Sequence, residues 1–308
     1  MTRFFLKRIL GAIPVMFIIV TLVFFMVRLV PGGPFDTEKQ IAPETRQALN
    51  AYYGLDKPLY AQYFSFLKNL ARGELGPSYK HQGWRVNELI ADKALVSLEL
   101  GFYALVFALV SGFAMGIFAA AFRDTKIGKC VGAFSLAGIC LPALVLGPVL
   151  ILIFSLRLNM FNAMGWASPQ DAILPAIAMG LFYSAWIARL TRASFITESE
   201  KAYVRTAVAK GCDGRRVYFV HIMRNAVQPV VSYLGPAAAG LLTGSFVVET
   251  IFQIPGLGKF FISSALDNDY TMIMGCVIVY AFFIVFFNLV ADLILALLNP
   301  RIAKEFKK

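Results

Sequence analysis

Histidine, the side chain best suited to general acid–base work near neutral pH, occurs only at His81 and His221, both outside the long apolar runs. A histidine-based hydrolytic site within a membrane is therefore excluded. Phosphate chemistry has no better footing. A nucleotide loop needs GxxxxGK followed by Ser or Thr, so that backbone amides cradle phosphates and the hydroxyl holds magnesium. The run PGLGKFF at 255–261 lacks the first glycine at that distance and puts Phe260 where the hydroxyl belongs. Cys130, Cys140, Cys212 and Cys276 form no CxxC pair and imply neither a structural disulfide nor a zinc site. Within the apolar runs, Glu99 and Glu249 sit near one set of ends and Arg189 and Asp292 near the other. A charge at the bilayer centre is costly and marks an ion or proton route, but no carboxylate pair lies mid-run, which argues against a proton- or sodium-coupled carrier. Asn288 and Asp292 share a helix face at i, i+4 spacing; they either line a solute path or make an interhelical hydrogen bond, the second being favoured.

The densest polar feature is the basic loop 192–229. Its local signals predict a helix from Tyr203 to Lys210, a break at Gly211, a cap at Asp213, and a second helix through Arg215, Arg216 and Val217 toward His221. Small residues Ala202, Thr206, Ala207 and Ala209 suit the first helix to seating in a groove, where Arg205 and Lys210 would meet acidic groups. The plain alternative is a basic loop that only sets topology.

These residues must be positioned by membrane helices. With 58% hydrophobic and 15% charged residues and a mean hydropathy of +0.68, the chain cannot hide its apolar surface in a water-soluble globule. Six runs approach the roughly 20 residues a bilayer span needs: 9–30, 95–122, 130–158, 173–190, 230–252 and 272–298. The first is too long for a secretory signal core and lacks a small-x-small cleavage site. Basic residues collect on one side: Arg3, Lys7 and Arg8 before the first run, Arg123, Lys126 and Lys129 between the second and third, the 192–229 loop, and Arg301, Lys304, Lys307 and Lys308 at the end. By the positive-inside rule both termini are expected in the cytoplasm, and the net charge of +11 is explained without nucleic acid. The expected layout is a cytoplasmic tail (1–8), a first span (9–30), an outer segment (31–94), a core (95–298) and a second tail (299–308).

In the outer segment, Leu59, Tyr63, Phe66, Leu67 and Leu70 recur at helical spacing between a capping Asp56 and a terminating Gly73, predicting an amphipathic helix. Its readings are a dock beside a pore mouth or, favoured, a cover over the bundle. Gly112 with Gly116, and Gly240 with Gly244, have the GxxxG spacing of close helix pairs, within the chain or between subunits. Pro142, Pro148 and Pro236 are expected to bend their spans. Pro255 and Gly256 predict a turn that dips Ile254, Leu257 and Phe260 toward a pore mouth as an outer gate, or else serves as an interfacial connector.

The stretch YVRTAVAKGCDGRRVYFVHIMRNAVQPV resembles the cytoplasmic loop of permease subunits in binding-protein-dependent ABC importers of the dipeptide and oligopeptide branch. Their loop pattern is EAA, three residues, then Gly; Arg205, Thr206 and Ala207 occupy the first part, with Arg205 in place of the acid, and Gly211 the glycine. The later Ile-x-Leu-Pro element is not matched at its usual distance, Pro229 being displaced. FLKRILGAIPVMFIIVTLVFFMVRLVPGGPF, YGLDKPLYAQYFSFLKNLARGELGPSY, SYLGPAAAGLLTGSFVVETIFQIPGLG and SSALDNDY are similar to the B-type subunit of oligopeptide permeases, in order and nearly end to end.

The resemblance implies an all-α protein of the type I importer permease fold in a bacterial inner membrane. It implies a second, related permease half, two cytoplasmic ATPases carrying ATP and magnesium, an extracytoplasmic peptide-binding protein, and a peptide as cargo. The chain itself would bind no cofactor or metal and catalyse nothing. Ala202, Tyr203, Arg205, Thr206, Ala207, Lys210 and Gly211 would form the element that couples to the ATPases. Related permeases carry dipeptides, nickel or other small solutes, which are the alternative cargoes.

Overall fold

The computed structural model describes residues 2–29, 33–35, 43–81 and 83–298. The tail 299–308, with Arg301, Lys304, Lys307 and Lys308, lies outside the described residues, as do 30–32 and 36–42. The described chain is helical, with one isolated bridge between Pro77 and Arg85. Five helical stretches are long and apolar enough to cross a membrane: Arg8–Leu29, Val86–Ala121, Pro169–Ser199, Gln228–Ile251 and Tyr270–Ile294. A bent pair, Gly128–Cys140 and Ala143–Arg157, supplies a sixth.

In chain order the helices are α1 (Thr2–Leu29), α2 (Pro43–Tyr53), α3 (Leu59–Ala71), α4 (Val86–Ala121), α5 (Lys126–Cys140), α6 (Ala143–Leu150), α7 (Ile173–Ser199), α8 (Ala202–Ala209), α9 (Gly214–Arg216), α10 (Met223–Ala226), α11 (Gln228–Leu242), α12 (Phe246–Ile251), α13 (Leu257–Leu266) and α14 (Tyr270–Leu298). Two spans run beyond their apolar cores. At 1.5 Å per residue α4 is about 54 Å long, well over the roughly 30 Å of a hydrocarbon core. Its first turns carry Asn87, Glu88, Asp92 and Lys93, so hydropathy places its start too late. The same holds for α7, whose polar last turns reach Ser199.

The centre of the bundle is the pairing of α4 with α7. A Cβ on Gly112 would lie 2.7 Å from the Ser184 carbonyl oxygen, and one on Gly116 2.7 Å from that of Ala188. Only glycine lets the backbones approach so closely. A Ser111–Ser184 hydroxyl contact of 2.7 Å ties the same interface. Gly240 faces Tyr183 and Gly244 faces Glu249, so both GxxxG pairs serve packing within the chain. α1 is peripheral; Ile13, Phe17, Ile18 and Leu22 remain exposed, as suits a helix solvated by lipid.

The third span breaks by 109° at Leu141 and Pro142. Pro142 lacks an N–H and starts α6 as its N-cap. Pro148 lies inside α6, and the chain continues as a π-helix, Ile151–Arg157. Pro236 sits within α11, and Pro14 within α1.

In the outer segment the amphipathic helix forms as α3, and Gly73 ends it at φ +77° with its N–H on the Leu70 carbonyl. The N-cap is Pro58, not Asp56, which is exposed. The Gln62 amide supplies the local closure instead, donating to the carbonyls of Leu55 and Lys57. The apolar face of α3 covers α1: Tyr63 meets Thr21 at 2.8 Å, and Phe66 lies against Phe24. This is the cover reading. Asp269, buried, fastens the segment to α14 by accepting from Ser78, the Tyr79 N–H and the Met272 N–H. Burial at this junction pushes the Tyr79 hydroxyl up to about 12.

Candidate functional site

The loop joining α7 to α11 folds against the ends of the spans. α8 is a two-turn helix, Gly211 reverses the chain at φ +80°, and Asp213 caps α9 by accepting from the Arg215 N–H. A π-helical stretch, Val217–Ile222, then leads through α10 into α11. The predicted order of elements is the one observed, with π-helix in place of most of the second helix.

α8 has two faces. Val204 and Ala207 point inward, onto a small core of Ala120, Phe195, Val217, Ile222 and Ala226. Ala202, Arg205, Thr206, Val208 and Lys210 are exposed. Ala207 is thus committed to the chain's own interior, and Val208, 59% exposed, takes the apolar place on the free face. Gly211 is exposed, and a Cβ there would meet nothing within 4 Å. Its requirement is conformational: a left-handed backbone, which costs other residues about 1–2 kcal/mol.

Tyr203 fixes this helix to both neighbouring spans. Its hydroxyl donates to Glu198 Oε2 at 2.7 Å, receives the Asn225 amide at 3.2 Å, and lies 3.3 Å from the His221 carbonyl oxygen. Glu198 belongs to the last turn of α7, and Asn225 to α10. Lys201 Nζ meets the other Glu198 oxygen at 2.5 Å. Burial pushes the Tyr203 hydroxyl pKa up, so it stays a neutral donor, and the bond to Glu198 raises that of Lys201. Side chains in contact thus link α8 to the last turn of α7 and to α10, which leads into α11. Glu198 and Asn225 escape sequence reading; the one local hint is the i, i+3 charge pair of Glu198 with Lys201.

At the opposite end of the bundle the turn after α12 is built around Glu249. This carboxylate is fully buried, accepting from Ser97 Oγ at 2.8 Å and from the N–H groups of Gly258 and Lys259 at 2.7 and 3.2 Å. It thereby caps the first turn of α13. Ser97 Oγ accepts in turn from the Leu257 N–H at 2.8 Å, locking α4, α12 and α13 together. The residues expected to dip into a pore mouth are placed differently. Ile254 and Leu257 are fully buried, Gly256 abuts the Glu249 carboxylate, and Pro255 is half-buried. Phe260 lines a small surface cavity beside His81 and Lys259. An apolar turn reads alike in sequence whether it faces a path or a core; the carboxylate inside it decides for the core.

Asn288 and Asp292 also part company. Asp292 pairs with Arg8 of α1 at 3.1 Å, while Asn288 is exposed on α14. A hollow in the bundle lies elsewhere. A cavity of about 450 Å³ opens at the break of the third span, against Leu141, Pro142, Met179, Phe182, Tyr183 and Phe246. Sequence reading placed the bend but not the hollow, since its walls are mostly apolar residues from three distant segments.

Spans around a broken helix, with a short helix clasped between the ends of two of them, define a type I ABC importer permease. Two solved structures share this fold: the inward-facing MetNI methionine ABC transporter (TM-score 0.55, 15% identity, covering 68% of this chain and 96% of that one) and an amino acid ABC transporter with histidines (TM-score 0.52, 19% identity, 68% and 94%). Residues 112–304 match the family described as binding-protein-dependent transport system inner membrane component, and residues 1–84 match its N-terminal partner family. The chain belongs to that family, as a permease subunit of the OppB-like dipeptide and oligopeptide branch. It is 40% identical over 304 residues to the oligopeptide transport system permease proteins OppB of Haemophilus influenzae and Salmonella typhimurium, covering 98% of this chain and 99% of each relative. It is 38% identical over 302 residues to the dipeptide transport system permease protein DppB of Bacillus subtilis, at 98% coverage of both.

Proposed function

We propose that this chain is one of two permease halves of an importer that moves oligopeptides into the cytoplasm, driven by ATPases that grip α8. The supporting observation is the Tyr203 junction, which joins an exposed helix to the end of α7 and to α10, the lead-in to α11. The exposed Ala202, Arg205, Thr206, Val208 and Lys210 form the docking face, and Gly211 sets the angle at which α8 leaves its partner span. ATP and magnesium belong to two cytoplasmic ATPase subunits, and an extracytoplasmic binding protein delivers the peptide at the α13 end. Both termini lie in the cytoplasm of a bacterial inner membrane, with the basic loop on the same side. The turn of Ile254, Pro255, Gly256, Leu257 and Phe260, clamped by Glu249 and packed into the core, serves as a fixed connector at the outer end of the bundle. The cavity beside Tyr183 is this half's share of the path, completed by the second permease. Peptide cargo follows from the relatives' names, with oligopeptide relatives at 40% identity and a dipeptide one at 38%.

Cysteine crosslinking tests the grip. In the assembled importer, with the four native cysteines replaced by serine, Arg205→Cys should crosslink to an ATPase subunit and Val204→Cys should not. Failure of Arg205→Cys to reach any ATPase, with the complex intact, would overturn the assignment of α8.

A further inference from the structure

The hollow beside Tyr183 has a counterpart nearer α8. A second cavity, about 480 Å³, opens between the same two helices, α5 and α7. Its walls combine Lys129, Arg189 and Arg192 with the small residues Gly128, Gly132 and Ala133, and among the described residues no carboxylate lines it. On α7, positions 182, 186, 189 and 193 recur at helical spacing, so the two cavities lie along one face of that helix. The chemistry changes along this face. Its far half is aromatic: the Tyr233 ring lies 6.5 Å from Tyr183 and 6.3 Å from Trp186. Its near half is cationic, and the two meet where the Arg189 guanidinium stands 5.5 Å from the centre of the Trp186 ring.

One of the three cations carries an unpartnered donor. Arg192 Nε is buried and has no hydrogen-bond partner among the described residues. A buried N–H without an acceptor is costly, and the planar guanidinium fork matches an oxyanion such as a carboxylate. Three cations repel an ammonium group, so of a peptide's two ends only the C-terminus fits. The small side chains opposite leave room for differing residues next to that end and impose no shape of their own.

We propose that Lys129, Arg189 and Arg192 form a carboxylate subsite that receives the C-terminal end of a peptide in transit. The inference rests on the peptide-importer reading above. It makes transport sensitive to C-terminal charge after the receptor has released its cargo, with the aromatic face supporting the body of the peptide.

The test uses the whole importer in proteoliposomes. Uptake, expressed per receptor-bound peptide, is compared for trialanine and trialanine amide, which share their N-terminal charge. The wild type should move the acid about tenfold faster, as charge-assisted hydrogen bonds warrant. R189Q/R192Q should abolish that preference, and R189K/R192K should keep most of it. An absent preference in the wild type, or one that survives R189Q/R192Q, overturns the subsite. A second arm repeats the assay in vesicles with and without phosphatidylglycerol. If the variant slows both peptides equally, and only where that anionic lipid is present, the cavity holds a lipid phosphate and the proposal fails. Wild-type vesicles that import neither peptide contradict the peptide reading itself, a result visible before any substitution is made.

Discussion

At the scale of single residues, two polar junctions, one half-buried at Tyr203 and one buried at Glu249, hold opposite ends of the bundle, and both answer to substitution. The Tyr203 hydroxyl bonds a carboxylate that is itself nearly buried, so Tyr203→Phe removes about 1–2 kcal/mol of local fastening while leaving the ring in place. The expected outcome is a complex that still hydrolyses ATP but imports less peptide per ATP, read by measuring both in the same vesicles. An unchanged ratio would show that the junction transmits nothing. Glu249 is the harder test of structure. Glu249→Ala strands the N–H groups of Gly258 and Lys259 and the Ser97 hydroxyl, and should cost more than about 3 kcal/mol. It should appear as a large drop in the melting temperature of the detergent-purified protein, with Ser97→Ala milder. Glu249 also shows where sequence reading stops. As a letter it is a charge near a span end; its meaning comes from Ser97, 152 residues away, and nothing in either neighbourhood announces the pairing.

Among the elements, what is local is legible and what is assembled is not. α8, its stop at Gly211 and the cap at Asp213 follow from signals within a dozen residues, and so does the amphipathic face of α3. The gate residues illustrate the converse. Their turn is read well, but its direction depends on which surface arrives to cover Ile254 and Leu257. The 36-residue length of α4 is missed because backbone helicity outlasts hydropathy once the chain leaves lipid. Two substitutions separate packing from posture. Gly112→Leu drives a side chain into the α7 backbone and should cost about 1–3 kcal/mol or more, visible as loss of folded protein in the membrane. At Gly211 a Cβ meets nothing within 4 Å, so Gly211→Val acts chiefly through left-handed strain, at least about 1–2 kcal/mol for a β-branched residue. It should leave the protein folded and abundant while transport falls sharply; wild-type uptake in this variant would contradict the role given to Gly211.

For the molecule as a whole, the arrangement separates force from selection. The chain offers a close pairing of α4 with α7, a bent span beside a hollow, and a short helix exposed at one end. Its apolar spans hold no pair of carboxylates at mid-depth among the described residues, so ion coupling has no evident seat. On the proposed function, energy arrives through α8. The most direct measurement reconstitutes the two permease halves in vesicles, first alone and then with the ATPases, the binding protein and ATP, and follows peptide against its gradient. Accumulation is predicted only in the second case; concentrative uptake by the permease halves alone would contradict the account.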